Sequence, residues 1–460
     1  MVGALDGHLV LVGFMGAGKS TVGAEVARLT ERPFVDTDEE IELRHGPLAE
    51  LFAAGEAEFR RVEEAVVAEV LARREPAVVA LGGGAVTTPA VREWLRKEFT
   101  VWLPVMADDA WERVRESGRP LARDERSFRE LLAERDDRYD EVADASAHSA
   151  AEVVRACLGI EIRRGLLDRV RFVATGPTEI VVDERVLELH HPAITGPVHP
   201  VPGGPEAKTL AVAERLWSAL RLDRNGTVVA IGGGSTTDLA GFVAATYFRG
   251  VPWIAVPTSL TGQVDAAIGG KTGIDLGGKN LVGAFHFPER VLIDPDLLRT
   301  LPAEERRAGL AEVVKTGLLA GAELWSLEEE EMVAACAAYK AAVVLSDPYE
   351  EGRRAVLNLG HTFGHALETA SGSLRHGDAV ALGLMAALRL SGLDTASVEE
   401  VLSPKPVRVD PELAWAALLG DKKRADGEVR LVLLDAPGRP KVEAVPEADA
   451  RRALESLIAH

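Results

Sequence analysis

The chain is poor in the features that would place it outside the ordinary globular proteins. It has two cysteines among 460 residues, Cys157 and Cys336. Neither belongs to a C-x-x-C pair, which argues against a disulfide framework or a thiolate zinc site and for buried thiols in a reducing cytoplasm. No apolar run approaches the length of a membrane span, and no signal peptide is expected at the start. Basic residues are outnumbered, 52 against 72 acidic ones, and the net charge of -20 argues against a nucleic-acid surface. A local cluster of lysines and arginines can still receive anionic substrates. Internal repeats, low-complexity tracts and a Pro/Gly/Ser-rich linker are all missing. Length and a hydrophobic content of 47% allow two or three domains, each with a core.

Two chemistries stand at opposite ends of the chain. Near the start, Leu9-Val-Leu-Val reads as a buried strand, followed by Gly13-Phe-Met-Gly16-Ala-Gly18-Lys19-Ser20 and an amphipathic helix from about Lys19 to Leu29. Strand, glycine turn and helix give the context of a phosphate loop. Backbone N–H groups point at phosphates, Lys19 reaches the terminal ones, and Ser20 holds magnesium. Gly13, Gly16, Gly18, Lys19, Ser20 and Thr21 are the expected nucleotide contacts.

Asp36 and Asp38 follow on an extended segment. Residues i and i+2 share a face there, so one carboxylate can serve the magnesium shell and the other a substrate hydroxyl. Helix capping by Asp38 ahead of Glu39 is the plainer alternative. Arg60 and Arg61 lie on a helix, where cations commonly form a solvated face. Gly82-Gly83-Gly84 ends another buried strand and permits close approach of a ligand. Arg119-Pro-Leu and Arg135-Asp-Asp-Arg138-Tyr139 add guanidinium groups.

In the second half, Thr227-Val-Val-Ala-Ile-Gly232-Gly233-Gly234 is a buried strand entering a glycine turn and a helix, which suits a dinucleotide pyrophosphate. It is not a G-x-G-x-x-G fingerprint. Thr258 and Ser259 end a further strand. Asp265, Lys271, Lys279 and Asn280 form a polar run suited to a phosphate. After Pro302 the pattern is helical. Glu312 and Lys315 share a helix face, and His361 and His365 stand four apart as a zinc pair would. Three histidines with a glutamate, counting His376, point to a metal; two imidazoles and a carboxylate make an open catalytic zinc site.

The first half resembles shikimate kinase from about Leu9 to Ala143, through the phosphate loop, Asp-Thr-Asp, Glu-Phe-Arg-Arg, Gly-Gly-Gly-Ala, Arg-Pro-Leu and the arginine before Tyr-x-Glu-Val-Ala-Asp. The resemblance implies that Asp38, Arg60, Gly83 and Arg135 grip shikimate. It implies that Asp36 acts through magnesium and that Arg119 comes from a closing lid. Asp136-Asp137-Arg138 replaces the family's Pro-Leu before Tyr139.

The second half resembles 3-dehydroquinate synthase over about 200 to 460. The motifs are Gly-Gly-Gly-Ser-Thr-Thr-Asp-Leu-Ala-Gly, Gly-Gly-Lys-Thr-Gly-Ile-Asp, Gly-Lys-Asn-Leu-Val-Gly-Ala-Phe, Gly-Leu-Ala-Glu-Val-Val-Lys and Asn-Leu-Gly-His-Thr-Phe-Gly-His-Ala-Leu-Glu. By that resemblance Glu312, His361 and His376 are the zinc (or cobalt) ligands. His365, Lys271, Asn280 and Arg249 surround a phosphate, with Lys279 beside them. Asp265, Lys315, Lys340, Arg354 and Asn358 hold hydroxyls and carboxylate. Gly232, Gly233, Gly234, Asp238, Thr258 and Ser259 hold NAD, which is recycled within each turnover. Lys19, Asp38, Arg119, Lys271, Lys315 and His365 are the expected catalytic residues.

Three departures are visible. Thr237 stands for a glycine, the Lys271–Lys279 spacing is one residue short, and the segment before Val201 is abbreviated, with Pro205 where a glutamate aligns to Lys208. These place a reduced adenosine side in the expected NAD site. Val181-Val-Asp183-Glu remains as its first strand.

The expected architecture is α/β. A P-loop kinase domain with a parallel sheet (1–163) precedes a Rossmann-like NAD-binding α/β part (164–302) and an α-helical metal-binding part (303–460). The expected protein is a cytoplasmic bifunctional enzyme using ATP with Mg²⁺, NAD and Zn²⁺ (or Co²⁺). It acts on small molecules, with neither nucleic acid nor membrane as partner, and pairs as a homodimer through its second half. Rival readings of that half are a related sugar-phosphate cyclase, a metal-dependent polyol dehydrogenase and an inactive synthase-like module.

Overall fold

A computed structural model describes residues 5–116, 121, 124–167, 176–192, 195–421 and 427–459. The chain divides into two compact units, Met1–Gly159 and Ile160–His460.

The first unit is built on five parallel strands: β1 (Leu9–Val12), β2 (Phe34–Asp36), β3 (Val78–Ala80), β4 (Phe99–Trp102) and β5 (Ala145–Ser146), in the order β2-β3-β1-β4-β5. β1 and β3 are apolar and wholly buried, as strands covered on both faces must be. The chain leaves β1 toward one edge and later returns on its other side at β4. The loop after β1 thus opens at the point where strand order reverses, the usual ligand crevice of such sheets. Helix α1 (Lys19–Thr30) follows, and its first turn has no side-chain cap. Gly13 is required in the loop: its φ is 151°, and a Cβ there would meet the Leu103 carbonyl oxygen at 2.6 Å.

Two further helices carry polar groups inside apolar stripes. In α2 (Glu56–Leu71) the buried face is Phe59, Glu63, Val66, Val67 and Val70. In α3 (Glu125–Val142), capped by Asp124, it is Phe128, Leu132, Arg135, Tyr139 and Val142. Spacings of three and four put Glu63 and Arg135 on these inward faces with the apolar residues.

The second unit has strands β6 (Ile160–Ile162), β7 (Thr178–Asp183), β8 (Val198–Val201), β9 (Thr227–Gly232) and β10 (Trp253–Pro257). An antiparallel hairpin, β11 (Lys271–Ile274) with β12 (Val282–Phe285), precedes β13 (Arg290–Ile293). The large sheet is parallel with order β6-β13-β10-β9-β7-β8. β6 precedes the division at 163–164 read from the sequence, yet it pairs with β13 and belongs to this sheet. Chain order reverses between β7 and β9, so Asp183 and Gly232 flank the crevice. Helix α4 (Gly234–Thr246) starts there, again without a side-chain cap.

The rest is helical: α5 (Ala303–Ala320), α6 (Glu329–Ser346), α7 (His361–Ser371) and α8 (His376–Leu390), with a hairpin of β14 (Glu428–Ala436) and β15 (Arg439–Pro446) packed on their core. Gly360, at φ 77°, starts α7. A Cβ there would meet the Leu384 amide nitrogen at 2.8 Å, so this glycine lets α7 and α8 approach.

Candidate active sites

In the first unit, β1, β2 and β3 end side by side, and their loops supply the site. The Ser20 hydroxyl donates to Asp36 Oδ2 over 2.5 Å. These are adjacent hard oxygen donors beside the phosphate loop, a set that fits magnesium. Lys19 Nζ donates to the carbonyls of Gly13 (2.9 Å) and Phe14 (3.1 Å). The helix after β2 is capped by Asp36, which accepts from the Asp38 amide at 2.9 Å. Asp38 is therefore not the cap that the plainer sequence reading allowed. Its side chain lies instead at Gly82, where a Cβ would meet Asp38 Oδ1 at 2.6 Å and Glu63 Oε1 at 2.7 Å.

Arg60 faces the same spot. It pairs with Glu63, lies against Gly84, and stacks on Phe59 and Phe52, 5.1 and 5.8 Å from their ring centres. It does not belong to a solvated face. Arg135 Nη1 donates to the Gly83 carbonyl at 3.2 Å, alongside Tyr139. Arg138, by contrast, turns outward to Glu134. Arg119 lies outside the described residues.

Glu63 was not singled out in the sequence. It is 1% exposed. Burial pushes its carboxyl up to about 7 against the pull of Arg60, with Asp38 adding to the rise. Between its ordinary value of 4.5 and about 7, the folded protein binds more protons here than the unfolded chain. Stability from this group is present at the acid end of that window and is lost as pH rises through it. Glu63→Gln should flatten this loss, on the order of 1–3 kcal/mol, in thermal melts across the window.

In the second unit one cleft of about 1690 Å³ joins the β7/β9 crevice to the helical part. At the crevice end, Gly233 and Gly234 open α4. A Cβ at Gly234 would meet the Ala266 Cβ at 2.9 Å, so only glycine leaves the turn this close. The uncapped helix start, with Thr258 and Ser259 beside it, fits a dinucleotide pyrophosphate. Lys208, to which the broken motif assigned no role, is buried against Asp238 at 2.6 Å and also reaches Asn280. Asp183 accepts from the Arg185 amide and abuts Gly203, so a polar wall persists on the abbreviated side.

At the helical end, Glu312 of α5 is wholly buried. Its Oε1 lies 3.4 Å from His361 Nε2 and 3.2 Å from His376 Nε2. Lys315 Nζ forms an ion pair with Oε2 at 2.6 Å. Ligands about 2.1 Å from a tetrahedral zinc stand roughly 3.4 Å apart. The triad therefore fits zinc, or cobalt, on its own spacing and on the chemistry of its donors, two imidazoles and a carboxylate. His361 Nδ1 faces the Leu359 carbonyl at 3.2 Å, which leaves Nε2 for a metal. Burial opposes ionisation of Glu312, yet Lys315 and His361 hold its carboxyl well below the usual range.

Beside the triad, Asp265 pairs with Lys340 at 2.6 Å and with Lys315 at 3.9 Å. Burial pulls Lys340 below the ordinary lysine range, while Asp265 and Glu312 outweigh burial at Lys315 and hold it above. Burial, then the neighbouring His361, push His365 down to about 3, so it is a neutral imidazole. Lys271 pairs with Glu350 at 2.5 Å, and Asn358 reaches the same carboxylate at 3.3 Å. Arg354 is buried and donates to the carbonyls of Pro348 and Gly269. Lys279 pairs with Glu368 at 3.0 Å. Glu350 and Glu368 were not anticipated.

Among the expected contacts, Gly232 and Arg249 do not line the cleft. Arg249 is exposed. Helix α4, 13 residues long, carries the chain roughly 20 Å back from the Gly232 end of the sheet, and Arg249 stands before β10 at the opposite end.

These features define an α/β protein with a phosphate-loop kinase site in one unit and a dinucleotide- and metal-binding site in the other. Family models agree. Shikimate kinase matches residues 15–159, the N-terminal part of 3-dehydroquinate synthase 198–308, and its C-terminal part 309–404. A bifunctional shikimate kinase/3-dehydroquinate synthase of Thermotoga maritima is 35% identical, over 92% of this chain and 95% of the relative. A 3-dehydroquinate synthase of Latilactobacillus sakei is 43% identical, over 54% of this chain and 76% of the relative. A crystal structure of 2-deoxy-scyllo-inosose synthase, complexed with carbaglucose-6-phosphate, NAD⁺ and Co²⁺, superposes with a TM-score of 0.59 at 26% identity. It covers 65% of this chain and 96% of its own. The chain belongs to the family of bifunctional shikimate kinase/3-dehydroquinate synthases.

Proposed function

We propose that the protein phosphorylates the 3-hydroxyl of shikimate with ATP and Mg²⁺ in one unit. In the other it cyclises 3-deoxy-D-arabino-heptulosonate 7-phosphate to 3-dehydroquinate, with loss of phosphate, using NAD and zinc (or cobalt). The observation that carries this is the convergence, in one cleft, of a metal-ligand triad, an uncapped glycine turn and a set of lysines. A separate phosphate loop with its own carboxylates supplies the kinase. We assign the kinase to the first unit, which ends at Gly159 rather than at the 163 read from the sequence, the NAD-binding part to the stretch from Ile160 to 302 and the metal-binding part to 303–460. A homodimer through the second half and a cytoplasmic location complete the proposal. No described helix is long and apolar enough to cross a membrane.

In the kinase, Lys19 and the loop amides bind phosphates, and Ser20 and Asp36 would hold magnesium. Asp38 orients the attacking hydroxyl, while Arg60, Gly83 and Arg135 fix the ring and carboxylate. Phosphoryl transfer needs chiefly this positioning and charge stabilisation. Arg135→Ala should raise the KM for shikimate about 10–100-fold, the worth of a hydrogen bond to a charged group. Arg138→Ala should leave it near the parent value. Steady-state kinetics of both variants check the choice between the two arginines.

In the synthase, zinc would polarise a coordinated substrate hydroxyl and NAD would accept and return a hydride. The protein's part is to orient and to exclude water. Asp265, Lys315 and Lys340 position hydroxyls over the triad. Lys271, Lys279, Asn280 and the neutral His365 receive the phosphate, and Arg354 and Asn358, in the same lining, hold hydroxyls and carboxylate. A related cyclase shares this layout, as the inosose synthase neighbour illustrates. The higher identity to 3-dehydroquinate synthases favours the heptulosonate substrate.

One preparation should therefore form ADP with shikimate and release phosphate from the heptulosonate phosphate. Loss of either activity, with the other intact, would reject that half of the proposal.

A further inference from the structure

Glu368 lies on α7 seven residues after His361 and three after His365, on the same helix face. Its two oxygens do different things. Oε2 faces His376 Nδ1 at 3.3 Å, and Oε1 accepts from Lys279 Nζ at 3.0 Å. The other ring nitrogen of His376 faces Glu312. Lys279 sits in the turn between β11 and β12, beside Asn280, which accepts from Lys208. One carboxylate thus connects a triad histidine to the turn that carries an expected phosphate-binding lysine.

We infer that Glu368 is a positioning residue of the metal centre: it fixes the His376 ring with Nδ1 protonated and Nε2 turned to the metal, and it tethers the β11–β12 turn over the same site. The inference rests on the metal reading of the triad. A histidine that ligates through one nitrogen must have its other nitrogen oriented, and a carboxylate does this more strongly than a carbonyl. His361 has the Leu359 carbonyl for this role; His376 has Glu368. Glu368 could instead be a ligand, since it forms a second close group with His365 and His376. The Lys279 ammonium on Oε1 argues against a second cation there, because the two positive charges would share one carboxylate.

The test is metal affinity of the full chain, by chelator competition with Zn²⁺ and with Co²⁺, and the visible spectrum of the cobalt protein. With Mg²⁺ in excess to fill the kinase site, the parent should bind one Zn²⁺ or Co²⁺ per chain. Glu368→Gln leaves an amide that cannot accept from both partners. It should weaken both metals about 10–100-fold and alter the cobalt spectrum. Glu368→Ala, which removes both contacts without adding bulk, should do the same and serves if the glutamine variant does not fold. Glu350→Gln removes another carboxylate of the cleft, away from the triad, and should leave affinity and spectrum unchanged. Shikimate phosphorylation by each variant checks the amount of intact protein.

Parent-like affinity and spectrum in folded Glu368 variants would overturn the inference alone. So would two Zn²⁺ or Co²⁺ per parent chain, or an equal loss in Glu350→Gln. A parent protein that takes up no metal, or loses none in Glu312→Ala, would overturn the reading of the triad as well.

Discussion

Replacing His361 with alanine should reduce phosphate release from the heptulosonate phosphate by about 1,000-fold or more, while shikimate phosphorylation continues at the parent rate. The size follows from what the imidazole supports. A metal that polarises a substrate oxygen is worth several kcal/mol, and about 4 kcal/mol corresponds to a factor near 1,000. Loss of one of three protein ligands leaves Glu312 buried and already paired with Lys315 at 2.6 Å, so the carboxylate keeps a cation without the metal. The vacated space invites water rather than metal. Parallel assays of the two activities and metal content on one preparation give the answer. The kinase is the internal reference, because its phosphate loop and carboxylates all lie in the other compact unit.

The reciprocal change should separate the activities the other way. Lys19→Ala should lower the kinase rate about 100–1,000-fold, the worth of one preorganised donor on developing phosphoryl charge. Phosphate release from the heptulosonate phosphate should not change. The Lys19 ammonium rests on the Gly13 and Phe14 carbonyls, within its own loop, and needs only to swing from them to the phosphates. Alanine leaves the loop's glycines and the start of α1 as they are, so ATP binding should weaken less than turnover. Rates and KM for ATP on the same variant check this. Equal loss of both activities would point to misfolding instead.

Much of both sites was legible because their chemistry is local in the chain. The phosphate loop is one turn between one strand and one helix. Asp36 ends β2, but Asp38 stands in the first turn of the helix that follows, so the two reach one site without sharing the extended strand face that their spacing suggested. Glu312 with Lys315, and His361 with His365, sit at helical spacing on α5 and α7. Side chains that matter through tertiary contact were not legible. Glu63 stands three residues after Arg60, the spacing of an ordinary surface pair, and only the apolar stripe on either side of it shows that α2 carries it inward. Glu368 completes a helical face with His361 and His365, but nothing local shows that His376, on the next helix, meets it. Lys208 was legible only as the end of a motif whose spacing Pro205 breaks, which assigned it no role. The chain recovers the lysine through a 3₁₀ turn over Gly204–Ala207. Arg249 does not line its own chain's cleft although its motif is intact, because motif order carries no information on which end of the sheet a helix delivers the chain to.

The most direct test of the central claim is the cofactor balance of the second activity. Purified protein with Zn²⁺ and NAD well below the heptulosonate phosphate concentration should release phosphate and form dehydroquinate over many turnovers. Added chelator should stop it, and no NADH should accumulate. NADH rising in proportion to product would make the second unit a dehydrogenase. No phosphate release, in a preparation that still phosphorylates shikimate, would leave a kinase joined to a silent partner and contradict the account.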